Sequence, residues 1–472
     1  MEIFKNAFGT LVAFLAVIAI LGCTLAPKYT KPASPVPVQW PTGAAYSKTK
    51  TTASAPAVQD IPWRQFFTDE RLQKIIETAL NNNRDLRVAA LNVERARALY
   101  GIARAELLPT VSAIGSLNST LTPADLSITG STATISQYSV NLGILSWEID
   151  FFGRIRSLKD QALEQYLATE DARRSAQISL VSTVAQAYLS LAADRDNIKL
   201  ATSTLETQKT FYYLIRKRYE AGIASELDLR QAQSQVDAAK VDVARYMQLT
   251  AQDENALSLL IGSSLPSDSL PVDLNSVNPP KDISPGLQSE VLLRRPDILA
   301  AEHQLKAANA NIGAARAAFF PNISLTSTVG TTSTELSGLF KAGQGTWSFA
   351  PQIIMPIFDA RTWSAYDVTK VEKEISVAQY EKAIQTAFRE VSDALAVKGT
   401  LNQQIAAQQS LVEAVAETYR LSNARYTKGI DSYLSVLDAQ RSLYGAQQGL
   451  IVLRLARLVN QVTLYMALGG GE

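Results

Sequence analysis

The feature that most constrains the fold of this chain is an internal duplication. The stretch RYEAGIASELDLRQAQS, which begins at Arg218, returns as RYTKGIDSYLSVLDAQRS, which begins at Arg425. A second pair of related stretches aligns Gly101 with Gly313. Each half of the chain should therefore build the same elements in the same order, and the proline-rich residues 266–285 mark the seam between the halves.

Long helices dominate each half. Residues 154–221 contain neither glycine nor proline, and at about 1.5 Å per residue they would form a rod roughly 100 Å long. The counterpart, residues 357–428, is interrupted only by Gly399. Helices of this length are typical of coiled-coil packing. We predict that Gly222 and Gly429 end the two rods in the left-handed C-terminal conformation, and that each rod lies beside two shorter helices stacked end to end.

Segments of a different periodicity follow the first short helix of each half. They are rich in Ser, Thr and Gly, with apolar residues that alternate weakly and aromatic residues near the ends, as in GTWSFAPQIIMPIF. This pattern fits strands of a transmembrane β-barrel, with a small soluble β-domain as the alternative. Four strands do not close a barrel, and an open edge is not tolerated in lipid. Several chains should therefore share one barrel, and three would supply twelve strands.

These patterns give a complete map of expected elements. The expected strands are at about 110–120, 135–149, 322–332 and 346–356, the long helices at about 154–219 and 362–427, and the shorter helices at about 225–261 and 432–467. The expected regions are a signal peptide (1–22), a lipidated extended segment (23–62), a first repeat (63–265), a linker (266–285) and a second repeat (286–472).

The single cysteine, Cys23, closes an apolar run of signal-peptide length. The sequence ILGC that ends at Cys23 resembles a bacterial lipobox, in which the cysteine carries lipid. Thr24 at the next position resembles lipoproteins sorted to the outer membrane. The alternative is that Cys23 is a small buried apolar residue.

Composition argues against most other classes of function. The formal net charge is +1, which does not predict a nucleic-acid partner. One histidine, His303, and one cysteine leave too few ligands for a zinc site and little for nucleophilic catalysis. No metal, cofactor or catalytic residue is predicted. Glu148 and Asp150 have the spacing of an acid and base pair on one face of a strand, but we expect them to be solvated carboxylates of a channel lumen.

The chain contains the motifs WRQFFTDERLQKIIETALNNNRDLR, SWEIDFFGR, LLRRPDI, ARAAFFPNISL, AFREVSDALA and RYTKGIDSYLSVLDAQRS. Together these motifs resemble the TolC/OprM outer-membrane factor family, in its lipoprotein branch that serves multidrug efflux pumps. The resemblance covers essentially the whole chain. It implies a mixed α and β membrane protein, which assembles as a homotrimer with a shared 12-stranded barrel, a long periplasmic helical barrel and an equatorial domain.

The same resemblance implies a closed periplasmic tip and its residues. Leu434 and Asp438, four residues apart on one helix face, match positions that line the tip, where three copies would form a leucine ring and an acidic ring. Spacing alone favours the interpretation of Asp438 as a solvated residue in the first turn of a helix, where the helix dipole stabilises it; only the resemblance assigns it to the tip. Three more residues are expected to hold the tip closed by hydrogen bonds or salt bridges: Asp228 with Tyr426, as a pair that links neighbouring coils, and Arg441 with Asp438 at i+3.

Two positions depart from the family pattern at the tip. Ser435 stands where members often carry a second aspartate, and Asp431 stands where some carry an arginine. The first departure should make the tip less acidic. The second places a carboxylate at the tip where those members have a cation.

The resemblance predicts an outer-membrane exit duct that passively exports drugs and other small molecules from the periplasm. Its expected partners are a periplasmic adaptor protein, an inner-membrane efflux transporter and outer-membrane lipid. One alternative is the outer-membrane component of a type I protein secretion system. A second is a structural or adhesive coiled-coil lipoprotein, against which the paired strand segments argue.

Overall fold

A computed structural model of the chain describes residues 24–46, 58–128, 130–265, 267–283 and 288–471. The expected signal peptide and Cys23 lie outside these residues. The described chain divides into two compact units, each built from segments of both sequence repeats. The first unit contains the segment that ends at Pro32, with Val93–Thr169 and Ala301–Tyr380; the second contains Ala33–Asn92, Glu170–Ala300 and the segment that begins at Glu381.

Eight α-helices lie in the described residues. In chain order they are α1 (Trp63–Phe66), α2 (Glu70–Asn82), α3 (Arg84–Ala105), α4 (Arg154–Glu220), α5 (Glu226–Ile261), α6 (Pro296–Ala317), α7 (Ala360–Thr427) and α8 (Tyr433–Ala467). The two rods, α4 and α7, contain 67 and 68 residues. Their length follows from sequences with almost no helix-breaking residue.

The first unit contains a sheet of four antiparallel strands in the order β1-β2-β3-β4. The strands are β1 (Val111–Thr122), β2 (Ala133–Glu148), β3 (Asn322–Ser333) and β4 (Gly345–Ile354). Each repeat therefore contributes one pair of neighbouring strands, and β2 and β3 join the pairs. Among the described residues, β1 and β4 each have one edge without a partner strand.

Neither face of this sheet has a complete hydrophobic core. All ten residues of β4 are exposed, including Trp347, Phe349 and Ile353. Two glycines let neighbouring backbones approach closely, because a Cβ atom at Gly143 or Gly330 would lie only 2.1 Å from a carbonyl oxygen of the adjacent strand. An isolated sheet with so much exposed apolar surface indicates that other surroundings cover it.

In the second unit, the shorter helices stack end to end as predicted. The side-chain amide of Asn83, which precedes α3, donates to the Leu260 carbonyl oxygen near the end of α5 at 2.8 Å. The equivalent residue of the second repeat, Arg295, precedes α6 and donates from Nη1 to the Ala467 carbonyl oxygen at the end of α8 at 2.6 Å. Both residues satisfy carbonyl groups that a helix end leaves without intrahelical partners.

The core of the second unit forms where α1 and α2 meet the end of α8. The rings of Phe66 and Tyr465 stack with centroids 3.9 Å apart, and Phe67 contacts the pair edge-on. Ile75 and Ile76 of α2 are also fully buried. These contacts bring residues near the start and the end of the chain into one apolar cluster.

Candidate functional site

The two turns that end the rods have the same backbone geometry. Gly222 and Gly429 have φ angles of 74° and 75°, a left-handed conformation that only glycine adopts at little cost. In the first turn the Ile223 N–H donates to the Arg218 carbonyl oxygen at 2.8 Å, and in the second the equivalent N–H donates to the Arg425 carbonyl oxygen at 3.0 Å. Both turns are Schellman motifs, which satisfy carbonyl groups at the end of a helix.

Beneath the turns, three helices share one apolar cluster, which we call the tip cluster. Its buried members are Ile215 of α4, Ala232 of α5 and Tyr433, Val436 and Leu437 of α8. Burial raises the pKa of the Tyr433 phenol above its ordinary value, so this hydroxyl stays neutral. The cluster fixes the start of α8 against the α4–α5 hairpin.

A direct link joins the two repeats above the tip cluster. Nη1 of Arg218 donates to the hydroxyl oxygen of Tyr426 at 2.8 Å, and the guanidinium carbon lies 5.3 Å from the centroid of the same ring. The Tyr426 ring also packs on Tyr433, with centroids 5.5 Å apart. The role of Arg218 is not apparent from the sequence, because the identical Arg-Tyr pair occurs in both repeats and spacing does not reveal which helices touch.

The equivalent arginine of the second repeat has a different partner. Nε and Nη2 of Arg425 donate to the two carboxylate oxygens of Asp431 at 2.6 and 2.9 Å. This bidentate pair closes the second turn, and the Arg425 guanidinium holds the pKa of the Asp431 carboxyl below its usual value. Asp431 is thus a structural residue of the turn.

Leu434 and Asp438 lie on the exposed face of α8, opposite the tip cluster. Leu434 is 50% exposed, and the side chain of Asp438 is 66% exposed. The closest approach of Arg441 to the Asp438 carboxylate is 4.0 Å, whereas its Nε donates to Oε1 of Gln235 on α5 at 3.1 Å. Arg441 therefore contacts the neighbouring helix more closely than the predicted partner.

The expected bond between Asp228 and Tyr426 is not formed within the described chain. Asp228 instead accepts hydrogen bonds from the Ser225 N–H at 3.2 Å and the Ser225 hydroxyl at 2.8 Å, while its own N–H donates to Ser225 Oγ. This reciprocal capping box satisfies donors at the start of α5 and uses Oδ2 of the carboxylate. The pairing implied by the resemblance is replaced in one protomer by the contact between Arg218 and Tyr426.

The carboxylates Glu148 and Asp150 are held by structural contacts in the first unit. Both oxygens of Glu148 accept from Arg154, at 2.8 and 2.7 Å. Asp150 accepts from the N–H groups of Ile155 and Arg156 in the first turn of α4, where a negative charge is favoured. The expectation of two solvated lumen carboxylates is therefore wrong, because each carboxylate has an arginine partner and the side chains of Glu148 and Asp150 are only 20% and 7% exposed.

The segment that follows Cys23 is seated on α6 in the first unit. The Arg316 guanidinium donates to the Leu25 carbonyl oxygen at 3.1 Å, and the Asn309 amide donates to the Pro27 carbonyl oxygen at 2.7 Å. A Cβ atom at Gly313 would lie 2.8 Å from Ala26. We call residues 24–31 the N-terminal strap, and the surface of α6 that it contacts the seat. The close approach at the seat thus depends on a glycine.

Charged groups fix the far end of the strap. The Lys31 ammonium lies 2.7 Å from the Glu302 carboxylate, which Lys306 also contacts at 3.1 Å. The side chain of Glu302 is only 9% exposed, so the carboxylate has lost most of its water and needs these partners. His303, the next residue, lies 2.6 Å from Glu164 of α4. Among the described residues, no group of three or more candidate ligands is arranged to hold a metal ion.

Comparison with known proteins agrees with this architecture. The model of a family described as outer membrane efflux protein matches residues 75–263 and 287–470, one stretch in each repeat. A probable efflux pump outer membrane protein, TtgC of Pseudomonas putida, is 52% identical over 461 residues, 97% of this chain and 95% of the relative.

Solved structures show the same fold. A membrane protein from Pseudomonas aeruginosa matches with a TM-score of 0.88 and 42% identity, over 95% of this chain and 98% of the other. The open state of the Neisseria gonorrhoeae MtrE outer membrane channel matches with a TM-score of 0.84 and 39% identity, over 95% and 98%. The chain belongs to the outer membrane efflux protein family. The predicted fold class and the predicted outer-membrane efflux channel are confirmed.

Proposed function

We propose that three copies of this chain form the passive exit duct of a tripartite efflux pump. The observation that carries the proposal is the four-stranded sheet with unpaired edges on β1 and β4. In lipid, each unpaired backbone group costs several kcal/mol. Pairing β4 of one copy with β1 of the next removes this cost, and three copies give twelve strands, an even number within the range of outer-membrane barrels.

The alternating residues of β4 support a barrel with one face in lipid. Phe349 and Ile353 are large, apolar and exposed, and they share one face of the strand because side chains alternate. Ser348 and Gln352 lie on the other face. We assign the first face to lipid and the second to the water-filled lumen.

Exposed helix surface supports further contacts between copies. None of the residues of α3 is buried in one protomer, although Val88, Leu91 and Leu99 are apolar. An apolar window of 18 residues in α8 is only 28% buried. Neighbouring copies would cover these surfaces in a closed ring of helices.

The exposed face at the start of α8 supplies the gate. Three Leu434 side chains around the axis would resist wetting, and three Asp438 carboxylates would attract cations and repel anions. The link between Arg218 and Tyr426 would hold this face in place. Arg441, which bonds to Gln235, would fix the next turn of α8.

An adaptor protein and an inner-membrane transporter would open and load the duct from the periplasm. Exposed apolar residues at the turns, Ile223 and Ile430, provide surface for the adaptor. Broad selection of small molecules would take place in the transporter, since the duct itself needs no covalent chemistry.

A lipid on Cys23 would anchor the chain in the outer membrane. The seat of the N-terminal strap supports this assignment, because it holds the residue next to Cys23 in a fixed place on the protein. Thr24 Oγ1 lies 3.1 Å from Ser157 Oγ near the start of α4, close in sequence to the end of β2. The lipid would therefore enter the membrane beside the barrel.

Single-channel conductance in planar bilayers tests the duct and its gate. Asp438→Ala and Tyr426→Phe should each raise the conductance of the assembled protein, since each removes a constraint on the closed tip. The matched controls are the equivalent positions of the first repeat, Gln231→Ala and Tyr219→Phe, which should leave conductance at the parent value. Absence of any channel in the parent would contradict the duct, and unchanged conductance in both gate variants would contradict the gate.

A further inference from the structure

Two arginines at equivalent positions of the repeats have different kinds of partner: one contacts the other repeat, and the other contacts a residue of its own turn. Arg218 binds Tyr426 of the other repeat, and Arg425 binds Asp431 of its own turn. The backbone geometry of the two turns is the same. The difference therefore arises from the side chains around each arginine.

The residue equivalent to Asp431 in the first repeat is Ala224, which offers no carboxylate. The nearest carboxylate in that turn, Glu220, is held by Arg216 at 3.0 Å and Lys217 at 2.9 Å. Arg218 therefore has no available carboxylate in its own turn, and it binds the hydroxyl of Tyr426 on the other repeat. In the second repeat, Asp431 offers a charge-assisted bidentate contact across a short loop, which costs little chain entropy.

A ring of three duplicated chains contains six alternating repeats. Each second repeat then has a first repeat on both sides, one from its own chain and one from the neighbouring chain. If the same rotation relates each repeat to the next one around the ring, Arg425 faces Tyr219 of the neighbouring copy. This contact would be equivalent to the one between Arg218 and Tyr426 within a chain. Tyr219 is 41% exposed, and its hydroxyl has no hydrogen-bond partner among the described residues of one protomer.

We propose that Asp431 prevents Arg425 from binding Tyr219 of the neighbouring copy. At this position the closed tip is then linked within each chain but not between chains. Asp431 is a positioning residue that acts through Arg425. The seams between chains are then the weaker contacts of the tip, and the two repeats of one chain move as a pair when it opens. This inference rests on the proposed duct and its gate.

Conductance of four variants tests the inference. Arg218→Ala should raise conductance, because it breaks the existing link, whereas Arg425→Ala should leave it at the parent value, because that arginine makes no contact between chains. Asp431→Ala should lower conductance by releasing Arg425 to bind Tyr219 of the neighbouring copy. Adding Tyr219→Phe to Asp431→Ala should restore the parent value, since the acceptor is then lost.

The outcomes separate this inference from the proposed duct. If Arg425→Ala raises conductance as much as Arg218→Ala, Arg425 already links the chains and the inference is wrong. It is equally wrong if Asp431→Ala fails to lower conductance, or if Tyr219→Phe does not reverse the change. A parent without channel activity would overturn the duct itself. Assembly of each variant is checked on unboiled gels. If a variant with Asp431→Ala fails to assemble, the conductances of Arg218→Ala and Arg425→Ala decide whether the inference holds.

Discussion

Arg218 and Arg425 occupy equivalent positions, yet one guanidinium group binds a tyrosine and the other a carboxylate. Asp228 and its counterpart Ser435 differ in identity instead: Asp228 completes a capping box with Ser225, while Ser432 at the start of α8 has no side-chain cap. After duplication, single substitutions have changed local contacts without altering the turn that both repeats require. At this scale the contacts of a residue depend on its neighbours as well as on its identity.

A pair of carboxyl groups in the second unit gives a pH dependence. Burial, followed by the nearby Asp194 carboxylate, raises the pKa of Asp253 to about 6. Burial also raises the pKa of Asp194, which Asn197 and Arg245 partly offset. Asp194 lies on α4 and Asp253 lies on α5. Next to them, Arg195 pairs with Glu254 at 2.8 Å.

We expect this pair to destabilise the protein as the pH rises. Because the pKa of Asp253 is higher in the folded chain than in the unfolded chain, the folded state binds more protons between about pH 4 and 6. The free energy of unfolding therefore falls as the pH rises through this range. Since the group is partly exposed, solvent screening reduces the effect to on the order of 1 kcal/mol per chain.

Asp253→Asn should remove this contribution, so that the variant loses less stability than the parent between pH 5 and pH 7.5. Thermal unfolding followed by circular dichroism at the two pH values measures the difference. Asp237→Asn is the matched control, since Asp237 is an exposed residue of the same helix and pairs with Lys240. An identical pH response of Asp253→Asn and the parent would contradict the assignment.

Helices and strands were the most predictable level of this chain. Glycine and proline mark the boundaries of its elements clearly, so the four strands, the two rods, α5 and α8 begin and end within two residues of the expected positions. Contacts between helices were less predictable, because a rod without a strong apolar stripe does not reveal which face meets a neighbour. The capping box at Ser225 and Asp228 is the exception, because its sequence, Ser-Glu-Leu-Asp, has the spacing of residues that cap the start of a helix.

The two short helices α3 and α6 show how duplicated elements acquire different surroundings. Gly313 of α6 meets the N-terminal strap, whereas a Cβ atom at the equivalent Gly101 of α3 would have nothing within 4 Å. The strap exists only once in the chain, so only one of the two glycines has a neighbour in the protomer.

Gly313→Ala should therefore loosen the strap, while Gly101→Ala should not. Both changes raise intrinsic helix propensity by about 1 kcal/mol, but only the first forces Ala26 to move, at a cost of roughly 1 to 3 kcal/mol. Trypsin cleavage after the exposed Lys28, followed by mass spectrometry, should rise at least about fivefold in Gly313→Ala. Cys23→Ala, which removes the proposed lipid attachment site but leaves the seat, should keep the strap protected. Equal cleavage in the two glycine variants would argue against the seat.

At the scale of the whole molecule, the single protomer exposes several surfaces whose contact with water is unfavourable. Within the part of the chain that the structure describes, its sheet has exposed apolar side chains and two open edges, and α3 has no buried residue. The membrane and neighbouring copies are the surroundings that satisfy these groups together. The number of strands in the sequence already predicts a shared barrel, but which face of each strand meets lipid depends on the closed assembly.

Arginine substitutions on opposite faces of β4 test that assignment. Phe349→Arg should destabilise the assembled barrel by roughly 2 to 4 kcal/mol per copy, because a charge near the middle of the lipid face is costly. The amount of heat-modifiable trimer in outer-membrane fractions should therefore fall. Ala350→Arg, one residue further on, would point into the lumen; it should assemble normally and reduce the preference of the channel for cations. If Ala350→Arg blocks assembly while Phe349→Arg is tolerated, the faces are reversed, and if both are tolerated, this strand does not lie in the membrane.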